Sequence, residues 1–269
     1  LKQKKQSLLW EIKSSENPSS SYLFGTMHVK SSRVFSAFDQ ITKYIDACDS
    51  FCVEIDLEQA QNMDMQLAMM AAPGSSLDTI LNPKEYKRLE LIFQRLGVPN
   101  LLAFRGLRPM HLINLLSSLL MKEDTEEILD MSLFRYAQNE GKRTFGIETQ
   151  QEHLDILSNL DNKAEAKQLK MIIRNFPAFA KQHHKILDYY INGRIDKLYL
   201  HGKRSLGKWR KVLLKDRNYK IASRLDNLAK KEAVFCAIGA GHLYGKFGVL
   251  RLMKLGGSTV KPIHLFYAE

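Results

Sequence analysis

Two histidines stand three residues after a glycine, in Gly25-Thr26-Met27-His28 and Gly239-Ala240-Gly241-His242. A neutral imidazole ligates metals or accepts protons, which an imidazolium cannot do. Carboxylates occupy comparable places. Glu54 lies inside the apolar run FCVEIDL, where a buried carboxylate needs a cation or donor. Asp56, two residues on, falls on the same face of an extended chain, and Glu148 ends the run RTFGIE. Two histidines with one or two carboxylates make a nitrogen/oxygen site for a hard-to-borderline cation, with water in the open positions. Arg217, in LKDRNYKIASRL, offers a guanidinium for a substrate carboxylate or a developing oxyanion, or else is an exposed first-turn residue. Singly, each has a plainer reading: a capping or core histidine, or an ion pair with one of many basic side chains. The duplication of GxxH is what singles them out.

These residues need strand ends to hold them. LLWEI (8–12) and SYLFG (21–25) read as strands joined by the polar KSSENPSS, a hairpin. A glycine ending the second strand permits a turn, and His28 then falls near the start of the next helix, whose dipole disfavours the imidazolium. Helical spacing of Val34, Phe35, Phe38, Ile41 and Ile45 predicts a helix over 31–48, and DSFCVEIDL predicts a strand over 49–57. Residues 233–263 repeat the order: strand, GAGH, helix, Gly256-Gly257 turn, strand. The expected fold is mixed α/β, a single domain over 1–269. Two related halves, about 8–57 and 233–263, share a central mixed sheet, and a helical insertion over 58–232 covers the site. Within that insertion Pro83 and Gly97 bracket a helix, GKRTFGIET (141–149) is a strand, and a helical stretch over 162–190 breaks at Pro177.

Composition bounds the function. At 269 residues and 45% hydrophobic content the chain buries a large core. Its longest apolar stretch, LINLLSSLLM (112–121), is too short and too interrupted to span a membrane and reads as a core helix. No apolar leader precedes LKQKKQS, so the numbered chain is expected to start after a removed or trimmed segment. Cys48, Cys52 and Cys236 lack thiolate-zinc spacing and read as buried thiols, with Cys48 and Cys52 close enough in sequence to pair under oxidising conditions. The net charge of +11 is densest in KRSLGKWRKVLLKDR (203–217). Leu206, Trp209, Val212 and Leu213 there form one helical face, so the cations read as a solvated face rather than a nucleic-acid site. His183 and His184 read as surface or supporting residues.

In order, LLWEI, SYLFGTMH, VEIDL, SLFRYAQNEGKRTFGIET (132–149), KDRN (215–218) and AIGAGHLYGKFGVLRLMKLGG (237–257) resemble the TraB/PrgY/GumN family, which includes the TIKI metalloproteases and is distantly similar to erythromycin-esterase and ChaN-like proteins. The resemblance implies that His28 and His242 meet Glu54 at a site for a divalent ion, manganese or cobalt with zinc as an alternative. It implies Glu148 and Arg217 as further polar residues of that site. Glu148 is then a base or a ligand, and Arg217 steadies an oxyanion or a terminal carboxylate. The implied activity is metal-dependent hydrolysis of a peptide or protein substrate. Rivals are a non-catalytic peptide- or signal-binding protein, a metal-free esterase with a histidine base, and a polyanion-binding module. Relatives suggest an extracytoplasmic place of action, without excluding the cytoplasm. Oligomeric state is not readable. Where many relatives carry Glu-Gln after the GIET segment, this chain has Glu152-His153.

Overall fold

The computed structural model describes residues 6–56, 63–71, 74–121 and 124–267. Its sheet is mixed, with strands β1 (Leu9–Lys13), β2 (Ser21–Thr26), β3 (Ser50–Val53), β4 (Arg143–Gly146), β5 (Val234–Gly239) and β6 (Thr259–Ile263) in the order β4-β3-β5-β2-β1-β6. The expected hairpin forms: β1 and β2 are antiparallel, with Leu9 opposite Phe24. β5 lies between β2 and β3 and is parallel to both, and β4 is parallel to β3. A central parallel strand is covered on both faces, which is why VFCAIG is apolar without alternation and almost wholly buried. Phe235 of β5 stacks on Phe51 of β3 at a centroid distance of 5.6 Å. Pro262 falls on the outer strand β6, where a missing amide donor is tolerated.

The chain separates into two compact units. One comprises Leu1–Ala60, Asp124–His153 and Ile186–Glu269 and contains the whole sheet. The other, Gln61–Glu123 and Leu154–Lys185, is built on helices such as Pro83–Arg95, Pro109–Leu119 and Asn162–Arg174. Its core joins Leu89, Phe93, Leu112, Leu116, Leu169 and Ile173, so LINLLSSLLM is the core helix its sequence suggested. Asn82 caps Pro83–Arg95 by accepting from the Glu85 amide at 2.9 Å while Glu85 reaches back to Asn82. No helix among the described residues is long and apolar enough to cross a membrane.

Several expectations are corrected. Residues 31–48 form two helices, Ser32–Phe35 and Phe38–Asp46. The strand predicted over 49–57 is regular only over Ser50–Val53, residue 57 lying outside the described residues; the Glu54 carbonyl still accepts from the Glu148 amide at 2.9 Å, but Glu54 and Asp56 stand beyond the strand and its alternation does not align them. Residues 203–217 are not one regular helix. Ile195–Leu206 gives way at Gly207, whose φ is +48°, to a 3-10 turn and then a π-helix over Lys211–Asp216, and the buried apolar residues are Trp209 and Leu214. Cys48, Cys52 and Cys236 are all free and buried, and the neighbour of Cys52 is Cys236, its register partner across β3 and β5. Burial pushes the Cys48 thiol up to about 12, which keeps it in its unreactive protonated form. His183 is buried, not on the surface, with its ring against Phe179 of its own helix; His184 is exposed.

Candidate functional site

The topology gathers the expected residues at one edge. Thr26 is in register with Gly239, Ala237 with Val53, and Val53 with Gly146. His28, His242, Glu54 and Glu148 therefore leave the carboxyl ends of four adjacent parallel strands, β2, β5, β3 and β4, where open α/β sheets bind ligands.

The two GxxH glycines serve close approach, not turning. Neither has a positive φ, and Gly25 lies inside β2. A Cβ on Gly25 would stand 2.6 Å from Leu243 Cδ1 and 3.1 Å from Ala240 Cα, so the first motif packs directly on the second. A Cβ on Gly239 would stand 3.1 Å from Oε1 of Glu54. That oxygen accepts the Gly239 amide hydrogen at 2.6 Å, a bond that needs the backbone this close.

Arg217 binds both carboxylates. Its Nη2 donates to Glu54 Oε2 at 2.6 Å and to Glu148 Oε2 at 2.5 Å, and its Nε donates to Glu148 at 3.0 Å. Glu148 is 2% exposed. Burial alone would raise the Glu54 carboxyl, but the Arg217 charge and the Gly239 amide hold it far below the usual carboxylate range. Burial is likewise outweighed at Glu148, by the nearby His153 and by the hydrogen bonds and charge of Arg217. Both stay ionised, and Arg217 is correspondingly held protonated. His153, the residue at which this chain departs from many relatives, sets Nε2 at 3.4 Å from Glu148 Oε2.

The histidines differ in charge. Burial lowers His242 to about 4, so it is neutral at physiological pH. Asn218 Nδ2 donates to the Phe247 carbonyl at 2.7 Å, which turns its Oδ1 toward His242 Nδ1 at 2.5 Å. Nδ1 must then carry the ring hydrogen, and Nε2 presents a lone pair 3.6 Å from Glu54 Oε1. With the ring neutral this is no ion pair: two electron-pair donors face each other. His28 departs from the expected neutral form. The charge of Asp130, 3.3 Å from Nδ1 of a side chain that is 66% exposed, raises it to about 9, and the helix at Ser32–Phe35 does not keep it uncharged. Asp130, buried in the first turn of Leu129–Asn139, escaped sequence reading because an acid there looks like ordinary helix-end preference.

Among the described residues no three His, Cys, Asp or Glu side chains are drawn together as a complete ligand set. The donor chemistry nonetheless fits a divalent cation. At His242 Nδ1 is engaged by Asn218, which leaves Nε2 for a ligand, whereas His28, charged beside Asp130, ligates only on giving up a proton. Glu54 adds an ionised oxygen facing His242 Nε2.

Metalloprotease TIKI2 of Danio rerio is 23% identical over 315 aligned residues, covering 95% of this chain and 60% of its own length. Metalloprotease TIKI1 of Danio rerio is 22% identical over 322, covering 96% and 64%. The chain thus spans less than two thirds of the length of these curated relatives. No solved structure matches it significantly. The TraB/PrgY/gumN family model matches residues 8–262, which takes in every site residue described above and all of the sheet but the last residue of β6, and the chain belongs to that family.

Proposed function

We propose that the protein is a metal-dependent hydrolase that cleaves a peptide or protein substrate, with a divalent ion, manganese or cobalt before zinc, held by His28, His242 and Glu54. The observation that carries this reading is the neutral Nε2 of His242, its lone pair directed at an ionised Glu54 oxygen 3.6 Å away. The names of the two relatives support it. A divalent cation supplies Lewis acidity toward a peptide carbonyl and lowers the pKa of water.

The chain's own groups do the rest. Arg217 fixes the separation of Glu54 and Glu148, and its Nη1, which makes only a 3.5 Å contact with the Leu213 carbonyl, is the donor assigned to a substrate oxyanion. Glu148, ionised and bonded to Arg217 with His153 beside it, is the base this reading assigns. A second reading, capture of a peptide without cleavage, is favoured by the engagement of both carboxylates with Arg217.

Mass spectrometry of a peptide library incubated with the full chain tests this. Cleavage that stops with chelator, returns with Mn2+ or Co2+ and disappears in His28→Ala is expected. Full activity in His28→Ala would overturn the assignment, and binding without cleavage would favour capture. Extracytoplasmic action belongs to the same proposal and is tested by cell fractionation.

A further inference from the structure

Beside the candidate site lies a cavity of about 410 Å³, within the roughly 300–1,000 Å³ of small-ligand sites. It falls on the basic stretch 203–217. Arg210, Lys211 and Lys215 give it positive charge, Leu214 and Phe247 give it apolar surface, and Asn218 forms part of its wall. Among the described residues no carboxylate lines it. The π-helix Lys211–Asp216 carries two of these cations, and Lys215 Nζ is held 4.7 Å from the centroid of the Phe247 ring. Asn218 ties the cavity to the site: one amide group binds both the His242 ring and the carbonyl of Phe247. A ligand in this cavity is therefore one side chain away from His242.

Cations around an apolar floor recognise an anion carried on an apolar stem. We propose that this cavity binds a carboxylate of the peptide substrate, either that of an acidic side chain or that of the chain terminus, and so selects which peptides reach the site. That the ligand is a peptide rests on the proposed hydrolase function; the preference for an anion does not. A long polyanion is the less fitting occupant, because the charge is gathered around one half-open cavity with apolar surface from Leu214 and Phe247 rather than along a track.

The test measures fluorescence anisotropy of labelled hexapeptides on chelator-treated full-length protein at fixed ionic strength. The peptides carry an internal Glu or Gln, each with a free or an amidated C-terminus. Lys211→Gln/Lys215→Gln should weaken binding of carboxylate-bearing peptides by about tenfold, the scale of one lost charge-assisted hydrogen bond, and leave neutral peptides unchanged. Lys203→Gln/Arg204→Gln, which removes exposed cations of the same stretch outside the cavity, should leave all peptides unchanged. The internal-Glu and free-terminus arms identify the source of the carboxylate. Matched thermal melts establish that both variants are folded. Equal binding of neutral and acidic peptides, equal losses in the two variants, or preference for an oligothymidylate over every peptide would overturn the proposal. Cleavage of the same peptides by manganese-loaded protein separates the two readings. Acid-selective binding without cleavage keeps the cavity and removes the hydrolase; cleavage indifferent to the carboxylate and to Lys211 and Lys215 does the reverse.

Discussion

His242 Nδ1 donates to Asn218 Oδ1 at 2.5 Å, and this one bond decides which nitrogen of the ring is left with a lone pair. Asn218 is 2% exposed and sits directly after Arg217, so the start of one helix carries both the residue that joins the carboxylates and the residue that aims the imidazole. Asn218→Ala should lower cobalt affinity roughly 10- to 100-fold, as loss of an outer-shell partner does. It should also cost about 1–3 kcal/mol of stability, because the Phe247 carbonyl and the ring N–H lose their partner. Cobalt titration and denaturant unfolding measure the two effects separately.

Arg217 stands between two carboxylates, one of them fully buried. Arg217→Met should destabilise by about 3–5 kcal/mol at neutral pH, since it leaves uncompensated negative charge in the interior. In the variant, burial and like charge raise the carboxyl pKa values above their unfolded values, so the deficit should shrink as the pH is lowered and the carboxyls protonate. Urea unfolding at pH 7 and pH 5 reads this, and a deficit that grows toward acid would contradict it.

The two motif glycines predict different phenotypes. Gly25→Ala drives a Cβ into Leu243 and Ala240 and should cost about 1–3 kcal/mol of stability, as overpacking does. Gly239→Ala presses instead on Glu54 Oε1, so it should weaken metal uptake more than it lowers the melting temperature. Parallel melts and metal titrations of the two variants compare them. Identical profiles would contradict the distinction.

Glu152 predicts an acid limb. Hydrogen bonds from Arg224 first, and then Lys220 and the Thr149 amide against a smaller burial effect, hold its carboxyl well below its ordinary value of 4.5. A depressed folded pKa gives stability that is fully present above pH 4.5 and lost as pH falls through the folded value. Solvent screens this partly exposed cluster, so Glu152→Gln should cost about 1 kcal/mol at pH 7. The wild type and variant should converge in strong acid, as followed by denaturant unfolding across pH.

The succession of strand, GxxH and helix on either side of the site was legible because apolar runs ending in GxxH recur, and burial on both faces of β5 writes itself as an unbroken apolar run, whereas the order of the strands in the sheet was not. The pairing of Glu54 and Glu148 with a cation was legible from the expense of burying a carboxylate. The role of Gly25 was not: its constraint comes from Leu243 and Ala240, more than two hundred residues away, and nothing local distinguishes close approach from a turn. Asp130 was hidden for the same reason, since its partner His28 is distant in sequence and its position suits any helix start. The irregularity at Lys211–Asp216 was hidden by a helical period that continues through it.

Equilibrium dialysis of the full-length chain against cobalt tests the central claim most directly, with His242→Ala and Glu54→Gln alongside. One ion per wild-type chain, with uptake abolished in both variants and their folds intact by circular dichroism, is the predicted result. Wild-type protein that takes up no ion, or variants that bind as tightly as wild type, would contradict it.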